Sequence, residues 1–120
     1  MLTSYKELKV WQKAYQLCLE IYKMTRAFPK EEQYNLTSQV RRAAVSIPSN
    51  IAEGYGRNTT PNYIRSLHIA YGSICELETQ VMLAGDLEYL PVKAVEKSRE
   101  DIREVERMLK ALIASLEKRL

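Results

Sequence analysis

The stretch Leu36–Arg57, LTSQVRRAAVSIPSNIAEGYGR, carries the clearest structural pattern in this chain of 120 residues. At about 100° per residue, its apolar side chains fall on one side of a helix: Leu36, Val40, Ala43, Ala44, Ile47, Ile51 and Gly54. The opposite side carries small side chains flanked by two arginines: Ser38, Val45, Ser49 and Ala52, with Arg41 and Arg42. Because exposed helix faces usually carry long polar side chains, we expect this side to contact another helix or subunit.

Pro48 lies in the middle of this pattern, where a proline removes a backbone hydrogen bond and costs about 3 kcal/mol. The apolar period continues from Ile47 to Ile51 across the proline, which predicts one kinked helix. We expect Asn50 or Ser46 to satisfy the freed backbone groups. The alternative is a helix that ends at Ile47 and a second helix that has Pro48 in its first turn.

The whole chain has the composition of one helical domain. Charged residues make up 28% and hydrophobic residues 46%, and Pro and Gly number only four each, so few turns are available. Periodicity and helix-end signals predict four helices, at about residues 4–26, 36–55, 61–85 and 91–118. Joined by short loops, they predict an all-α, antiparallel up-down-up-down four-helix bundle over residues 1–120.

The third helix has a wider apolar arc than packing inside one bundle requires. Two neighbouring apolar stripes cover roughly 200°, against about 100° for a bundle helix. No Lys or Arg occurs from Ser66 to Val92. We therefore expect burial against another subunit here as well, and the predicted oligomer interface comprises Ser38, Val45, Ser49, Ala52, Ile64 and Tyr71.

Recognisable patterns for catalysis or metal binding are absent from the sequence. His68, the single histidine, lies in the second stripe of the third helix, and we expect a hydrogen-bonded core residue. Cys18 and Cys75 lie on apolar stripes and are expected to be buried, reduced thiols. We expect a non-catalytic protein with no metal and no cofactor. The remaining alternative of this kind is an enzyme or ligand carrier with a cavity around His68 and Tyr71.

The last helix and the ends of the chain add two expectations. Opposite charges three or four residues apart predict ion pairs along a solvated outer face: Glu96/Arg99, Glu100/Arg103, Glu104/Arg107 and Glu106/Lys110. We also expect Glu78 of the third helix to pair with an arginine of the second. No apolar run approaches the ~20 residues that cross a bilayer, and the first residues lack the apolar centre of a signal peptide. We therefore expect no membrane partner and a cytoplasmic location.

Charge is distributed unevenly along the chain. Residues 1–65 hold ten Lys and Arg against five Glu, whereas residues 66–120 hold eight basic residues against ten acidic ones. A basic surface attracts a polyanion such as RNA or DNA, although an excess of this size also fits a mildly basic solvated face. Assembly of several copies would pool the charge. The candidate nucleic-acid-binding residues are Lys6, Lys9, Lys13, Arg41, Arg42 and Arg57.

The block LTSQVRRAAVSIPSNIAEGYGR, together with FPKEEQY before it and LKVWQKAYQL near the beginning, resembles a known family. These are four-helix-bundle proteins encoded in intervening sequences of bacterial 23S rRNA genes, related to accessory variability determinant proteins of diversity-generating retroelements. The segment Ser46–Gly54 is the specific part, and the similarity covers nearly the whole chain.

The resemblance implies a homopentamer, with five antiparallel bundles arranged as a barrel around a central channel. It also implies nucleic-acid binding and association with a reverse transcriptase, as in the retroelement members. The basic residues that match by position are Arg41, Arg42, Arg57 and Lys13. The function predicted from all these features is a non-catalytic homo-oligomeric scaffold that binds RNA or DNA through pooled basic residues. The alternative is a protein-interaction adaptor, for a partner such as a reverse transcriptase, without direct nucleic-acid binding.

Overall fold

The computed structural model describes residues 2–120, and within that range it has four α-helices and no β-strand. They are α1 (Lys9–Met24), α2 (Leu36–Tyr55), α3 (Thr60–Asp86) and α4 (Val92–Glu117), with 3₁₀ turns at Tyr5–Glu7, Thr25–Ala27 and Lys30–Glu32. Each helix packs against the one before it, and α4 also packs against α1. The protein is an all-α bundle about 45 Å long, which confirms the predicted fold class.

The core consists of the apolar stripes that the sequence predicts. Ile21 of α1, Ile47 of α2, Leu67 of α3 and Leu109 of α4 have no measurable exposure. Burial of one such side chain contributes about 1.5–3 kcal/mol to folding. Since α3 packs against both α2 and α4, the part of its apolar arc that contains Leu67 is buried within one chain, whereas the part with His68 and Cys75 is exposed.

Helix α2 continues without interruption through Pro48, so the prediction of one helix is confirmed. Pro48 cannot donate to the carbonyl of Ala44, four residues earlier. The Asn50 side-chain amide instead donates to the Ser46 carbonyl at 2.8 Å and to the Ser46 hydroxyl at 3.0 Å. Asn50 and Ser46 therefore interact beside the proline, but on a different carbonyl from the one that Pro48 leaves free, so the expectation that they satisfy the freed group is wrong.

Two helix starts have local structure that the sequence prediction did not include. The first helix begins at Lys9 rather than near Ser4, because Ser4 and Glu7 close a capping box on the preceding 3₁₀ turn. The side chain of Asn35 does not cap α2. A Glu32 carboxylate oxygen accepts a hydrogen bond from the backbone N–H of Leu36 at 3.3 Å instead, because the 3₁₀ turn carries this acid to the start of the helix.

Glu32 also joins the two connections at this end of the bundle. Its second carboxylate oxygen accepts a hydrogen bond of 2.7 Å from the hydroxyl of Tyr89, which follows α3. That bond to a carboxylate raises the pKa of the Tyr89 phenol. The rings of Phe28 and Tyr89 lie 5.6 Å apart, so the α1–α2 connection and the α3–α4 turn are packed against each other.

Helix α3 ends in a left-handed turn at Glu88, where φ is 63°. The N–H of Glu88 donates to the Gly85 carbonyl and the N–H of Tyr89 donates to the Ala84 carbonyl, both at 2.9 Å. These two hydrogen bonds define a Schellman motif, whose left-handed position is usually occupied by glycine. A glutamate there is under backbone strain.

We therefore expect Glu88→Gly to raise the free energy of unfolding by about 0.5–1 kcal/mol, the relief of strain less the entropy that glycine gains on unfolding. Urea denaturation monitored by circular dichroism measures the change. Glu88→Ala is the matched control, since it removes the carboxylate but keeps a Cβ, and should give no such gain. A glycine variant no more stable than the alanine variant would contradict the interpretation.

Candidate nucleic-acid and assembly surfaces

Basic side chains collect in one half of the bundle, because antiparallel helices bring together residues far apart in sequence. This half, the basic half, contains residues 2–16, 46–72 and 105–120. It holds nine Lys and Arg against four Glu, a side-chain charge of +5. The other half, residues 17–45 and 73–104, holds nine basic residues against eleven acidic ones, a charge of −2. The bundle is therefore electrically polarised along its long axis.

Most cations of the basic half are available to a ligand. Six are exposed and form no ion pair with any described residue: Lys6, Lys9, Arg65, Arg107, Lys118 and Arg119. The other three have partners: Lys13 pairs with Glu104 at 3.2 Å, Arg57 with Glu53, and Lys110 with Glu106 at 4.0 Å. Exposed pairs of this kind contribute at most about 1 kcal/mol, so phosphate can compete for these cations too.

The six predicted nucleic-acid-binding residues separate into two groups. Lys6, Lys9, Lys13 and Arg57 lie in the basic half, whereas Arg41 and Arg42 lie on α2 in the other half. Arg65, Lys118 and Arg119 did not enter the sequence prediction. They lie near helix ends that the bundle topology brings to the same end as Lys6 and Arg57.

Arg41 makes intramolecular contacts that the sequence did not predict. Its Nε donates to the Thr25 hydroxyl at 2.8 Å, and its Nη2 donates to the Tyr22 carbonyl at 3.4 Å. The guanidinium carbon lies 4.8 Å from the centroid of the Tyr22 ring. These contacts fasten α2 to the end of α1, whereas the neighbouring Arg42 is exposed.

We therefore expect Arg41→Ala to lower the free energy of unfolding by about 1–2 kcal/mol, because it removes two hydrogen bonds and a cation–π contact. Arg42→Ala, the matched control, should stay within about 0.5 kcal/mol of the parent protein. Urea denaturation of the two variants measures the difference. Equal stabilities would show that Arg41 has no structural role.

An open apolar groove of about 350 Å³ runs between α1 and α2. It is lined by Tyr5, Trp11, Tyr15, Cys18, Leu19, Val45, Pro48, Ser49 and Ala52. Tyr15, Leu19 and Val45 are each exposed by 41–49%, which is unusual for large apolar side chains so close together. The groove includes Val45, Ser49 and Ala52 of the predicted interface, and Ser38 lies half-buried on the same helix.

Helix α3 is only partly covered on the side predicted for assembly, and it is also open on another side. Ile64 is 9% exposed because neighbouring helices of its own chain cover it. Tyr71 is half-buried, with the Lys110 ammonium 5.3 Å from its ring centroid. The outward side of α3 instead exposes Ile69 and Leu83, by 51% and 46%.

Predictions of burial for single residues on α1 and α3 are wrong. On α3, the apolar side that carries His68 and Cys75 extends beyond its contact with α4. His68 and Cys75 are exposed rather than buried. Cys18 is half-buried in the α1–α2 groove, where burial raises the pKa of its thiol. An open pocket of about 340 Å³ between α3 and α4 has His68 and Tyr71 in its lining, together with Lys110, Ile113, Ala114 and Glu117.

Glu78 pairs with α4 rather than with an arginine of α2. Its carboxylate lies 3.3 Å from Arg99 Nε and 3.8 Å from Arg103 Nε. Because Arg99 and Arg103 turn towards α3, they do not form the ion pairs with Glu96 and Glu100 that the sequence predicts. Of the four predicted pairs, the described residues form only Glu106–Lys110.

Residues 2–120 contain no group of three or more His, Cys, Asp or Glu side chains arranged to hold a metal ion. None of the helices in that range combines the length and apolarity that crossing a membrane requires.

Comparison with known proteins places this fold among relatives. No curated protein matches the chain. The chain is similar in structure to a protein of unknown function from the S23 ribosomal protein family of Bacteroides thetaiotaomicron, known from a crystal structure. The two share 23% sequence identity, the match covers 87% of this chain and 97% of that chain, and the TM-score is 0.81. At this identity the likeness concerns the fold.

The sequence comparison is more specific. The model of the family described as 23S rRNA-intervening sequence protein matches residues 6–111. The match begins before α1, covers α2 and α3 completely and extends to Ala111 within α4. The chain therefore belongs to the 23S rRNA-intervening sequence protein family.

Proposed function

We propose that the protein is a non-catalytic, homo-oligomeric scaffold that binds RNA or DNA through the pooled basic halves of its subunits. The observation that carries the proposal is the separation of charge along the bundle, +5 in one half and −2 in the other. Nucleic-acid affinity depends strongly on contacts between cations and phosphates, and six cations of the basic half form no ion pair with any residue in the range 2–120.

Assembly strengthens this surface without adding residues to the chain. In a cyclic oligomer whose bundles run parallel to the symmetry axis, every basic half lies at the same side of the ring. Each further copy then adds its charge to one continuous field. A homopentamer, as the family resemblance implies, would present five copies of Lys6, Lys9, Arg65 and Arg119 on that side.

The exposed apolar surfaces supply candidates for the contact between subunits. A cyclic assembly with more than two subunits needs two different complementary surfaces on each copy. The part of the α1–α2 groove formed by Tyr15, Leu19 and Val45, further along the helices than Tyr5, is one candidate. The outward side of α3, with Ile69 and Leu83, is the second. Burial of both would remove five large exposed apolar side chains of these helices from water.

Nucleic-acid binding is tested by fluorescence anisotropy with a labelled single-stranded RNA of about 20 nucleotides, between about 50 and 200 mM salt. We expect log Kd to rise with log salt. We also expect Lys6→Glu/Lys9→Glu to weaken binding at every salt concentration and to reduce the slope by about 1–2, because two phosphate contacts are lost.

The matched control is Arg26→Glu/Lys30→Glu, which makes the same charge change at two exposed residues of the other half. This control should bind RNA nearly as well as the parent protein. Absence of binding at the lowest salt, or equal losses in the two double variants, would contradict a role for the basic half.

Assembly is tested by multi-angle light scattering at micromolar concentration. We expect a mass that is a multiple of 13.9 kDa for the parent protein, and a shift towards the monomer for Val45→Glu, which places a charge in the groove. Val92→Glu is the matched control, because Val92 is 71% exposed and lies outside the groove. A monomeric parent protein would contradict the assembly.

An adaptor for another protein is the second candidate, and the same groove favours it, since an exposed apolar surface also suits a partner helix. A reverse transcriptase is the partner class that the family resemblance suggests. Affinity purification from nuclease-treated lysate separates the candidates. A polymerase retained without nucleic acid, from a variant that no longer binds RNA, would favour the adaptor.

A further inference from the structure

The extremity of the basic half carries tyrosines as well as cations. Tyr55, at the end of α2, and Tyr63, in the first turns of α3, have ring centroids 6.3 Å apart and ring planes at 84°. The Tyr55 hydroxyl donates to the Leu2 carbonyl at 3.2 Å, which holds the first residues of the chain beside this pair. Both rings are half-exposed.

Tyr5 extends this aromatic surface. It belongs to the 3₁₀ turn before α1, and its half-exposed ring meets Trp11 edge-on at 5.2 Å. Trp11 in turn stacks on Tyr15 at 5.0 Å. We name Tyr5, Tyr55 and Tyr63 the aromatic tip.

Positive charge surrounds the aromatic tip. Burial and the neighbouring Tyr55 raise the pKa of the Tyr63 phenol, and the positive charge of Arg119 is close enough to oppose that rise. Arg57 follows Tyr55 by two residues, and Lys6 follows Tyr5 directly. Glu7 accepts hydrogen bonds from Thr3 and Ser4, and Glu53 pairs with Arg57, so Lys6 and Arg119 supply the positive charge here that no described acid pairs with.

Aromatic rings among cations are the combination that proteins use to bind single-stranded nucleic acid. Cations follow the phosphates, and unpaired bases stack on the rings in a way that depends little on sequence. In a duplex the bases already stack on one another and offer only their edges in the grooves. A surface that gains its affinity from stacking therefore discriminates between the two forms.

We propose that the aromatic tip binds single-stranded nucleic acid through bases stacked on Tyr5, Tyr55 and Tyr63, in preference to a duplex of the same length. This inference rests on the proposed function, since the surrounding cations must first attract the phosphates. It adds the class of nucleic acid and a set of residues whose contribution does not depend on charge.

The test compares three labelled or competing probes: a single-stranded oligouridylate of about 12 nucleotides, a blunt RNA duplex of the same length, and inorganic polyphosphate. We expect the parent protein to bind the single strand more tightly than the duplex. Tyr55→Leu and Tyr5→Leu should each weaken single-strand binding at least about 5-fold, the loss of one stacked base, and leave duplex and polyphosphate binding unchanged.

Two further variants separate stacking from structure. Tyr55→Phe keeps the ring and loses only the hydrogen bond to the Leu2 carbonyl, so it should bind the single strand like the parent protein. Tyr34→Leu is the matched control, because Tyr34 is 85% exposed in the other half of the bundle. If Tyr55→Leu lowers the urea midpoint, the result for Tyr5→Leu decides the test, because Tyr5 lies outside the four helices.

The outcomes distinguish this inference from the proposed function. Equal affinity for single strand and duplex, or unchanged single-strand binding in both leucine variants, would overturn stacking. Weaker binding of every probe by Lys6→Glu/Lys9→Glu would in that case still support the proposed function. A loss in Tyr55→Phe as large as in Tyr55→Leu would also overturn stacking, and absence of binding by all probes would overturn both.

Discussion

Close packing of α2 against α3 is the contact on which the rest of the structure depends. Gly54 is buried there, and a Cβ at this position would lie 2.9 Å from the Tyr63 ring and 3.0 Å from the Ser66 Cβ. Any larger residue would push the two helices apart. About two helical turns away, the Ser73 hydroxyl donates to the Ser46 hydroxyl at 2.8 Å, so a polar contact also fixes the pair. Both anchors come from the segment Ser46–Gly54, which carries the family resemblance.

That contact determines what the end of the bundle presents to solvent. With Gly54 against Tyr63, the end of α2 and the beginning of α3 are held side by side, and only the short connection Gly56–Thr59 separates them. Tyr55, Arg57 and Tyr63 therefore reach the surface together. The return of α4 adds Lys118 and Arg119 to the same region. The charged and aromatic surface is thus a product of helix direction and loop length rather than of any local motif.

The sequence predicted the features that rest on a repeating pattern, namely the helices and the core. It missed the contacts that each depend on a single residue of another helix. Helical periodicity located all four helices and the core, because each stripe contains many residues and tolerates single errors. Glu32 at the start of α2, Arg41 beneath Tyr22 and Glu78 between two arginines of α4 each depend on a neighbour from another helix. No periodic signal encodes such a neighbour, so these contacts required the three-dimensional arrangement.

The length of the bundle gives its uneven charge a physical consequence. The bundle is about 45 Å long, whereas electrostatic interactions in 0.15 M salt decay over about 8 Å. The two ends of the bundle therefore act independently, because salt screens a polyanion bound at one end from the charges at the other. When the protein diffuses close to a nucleic acid, the field of the phosphates exerts a torque on this asymmetric charge and turns the basic end towards them. The protein is therefore oriented before the two surfaces make contact.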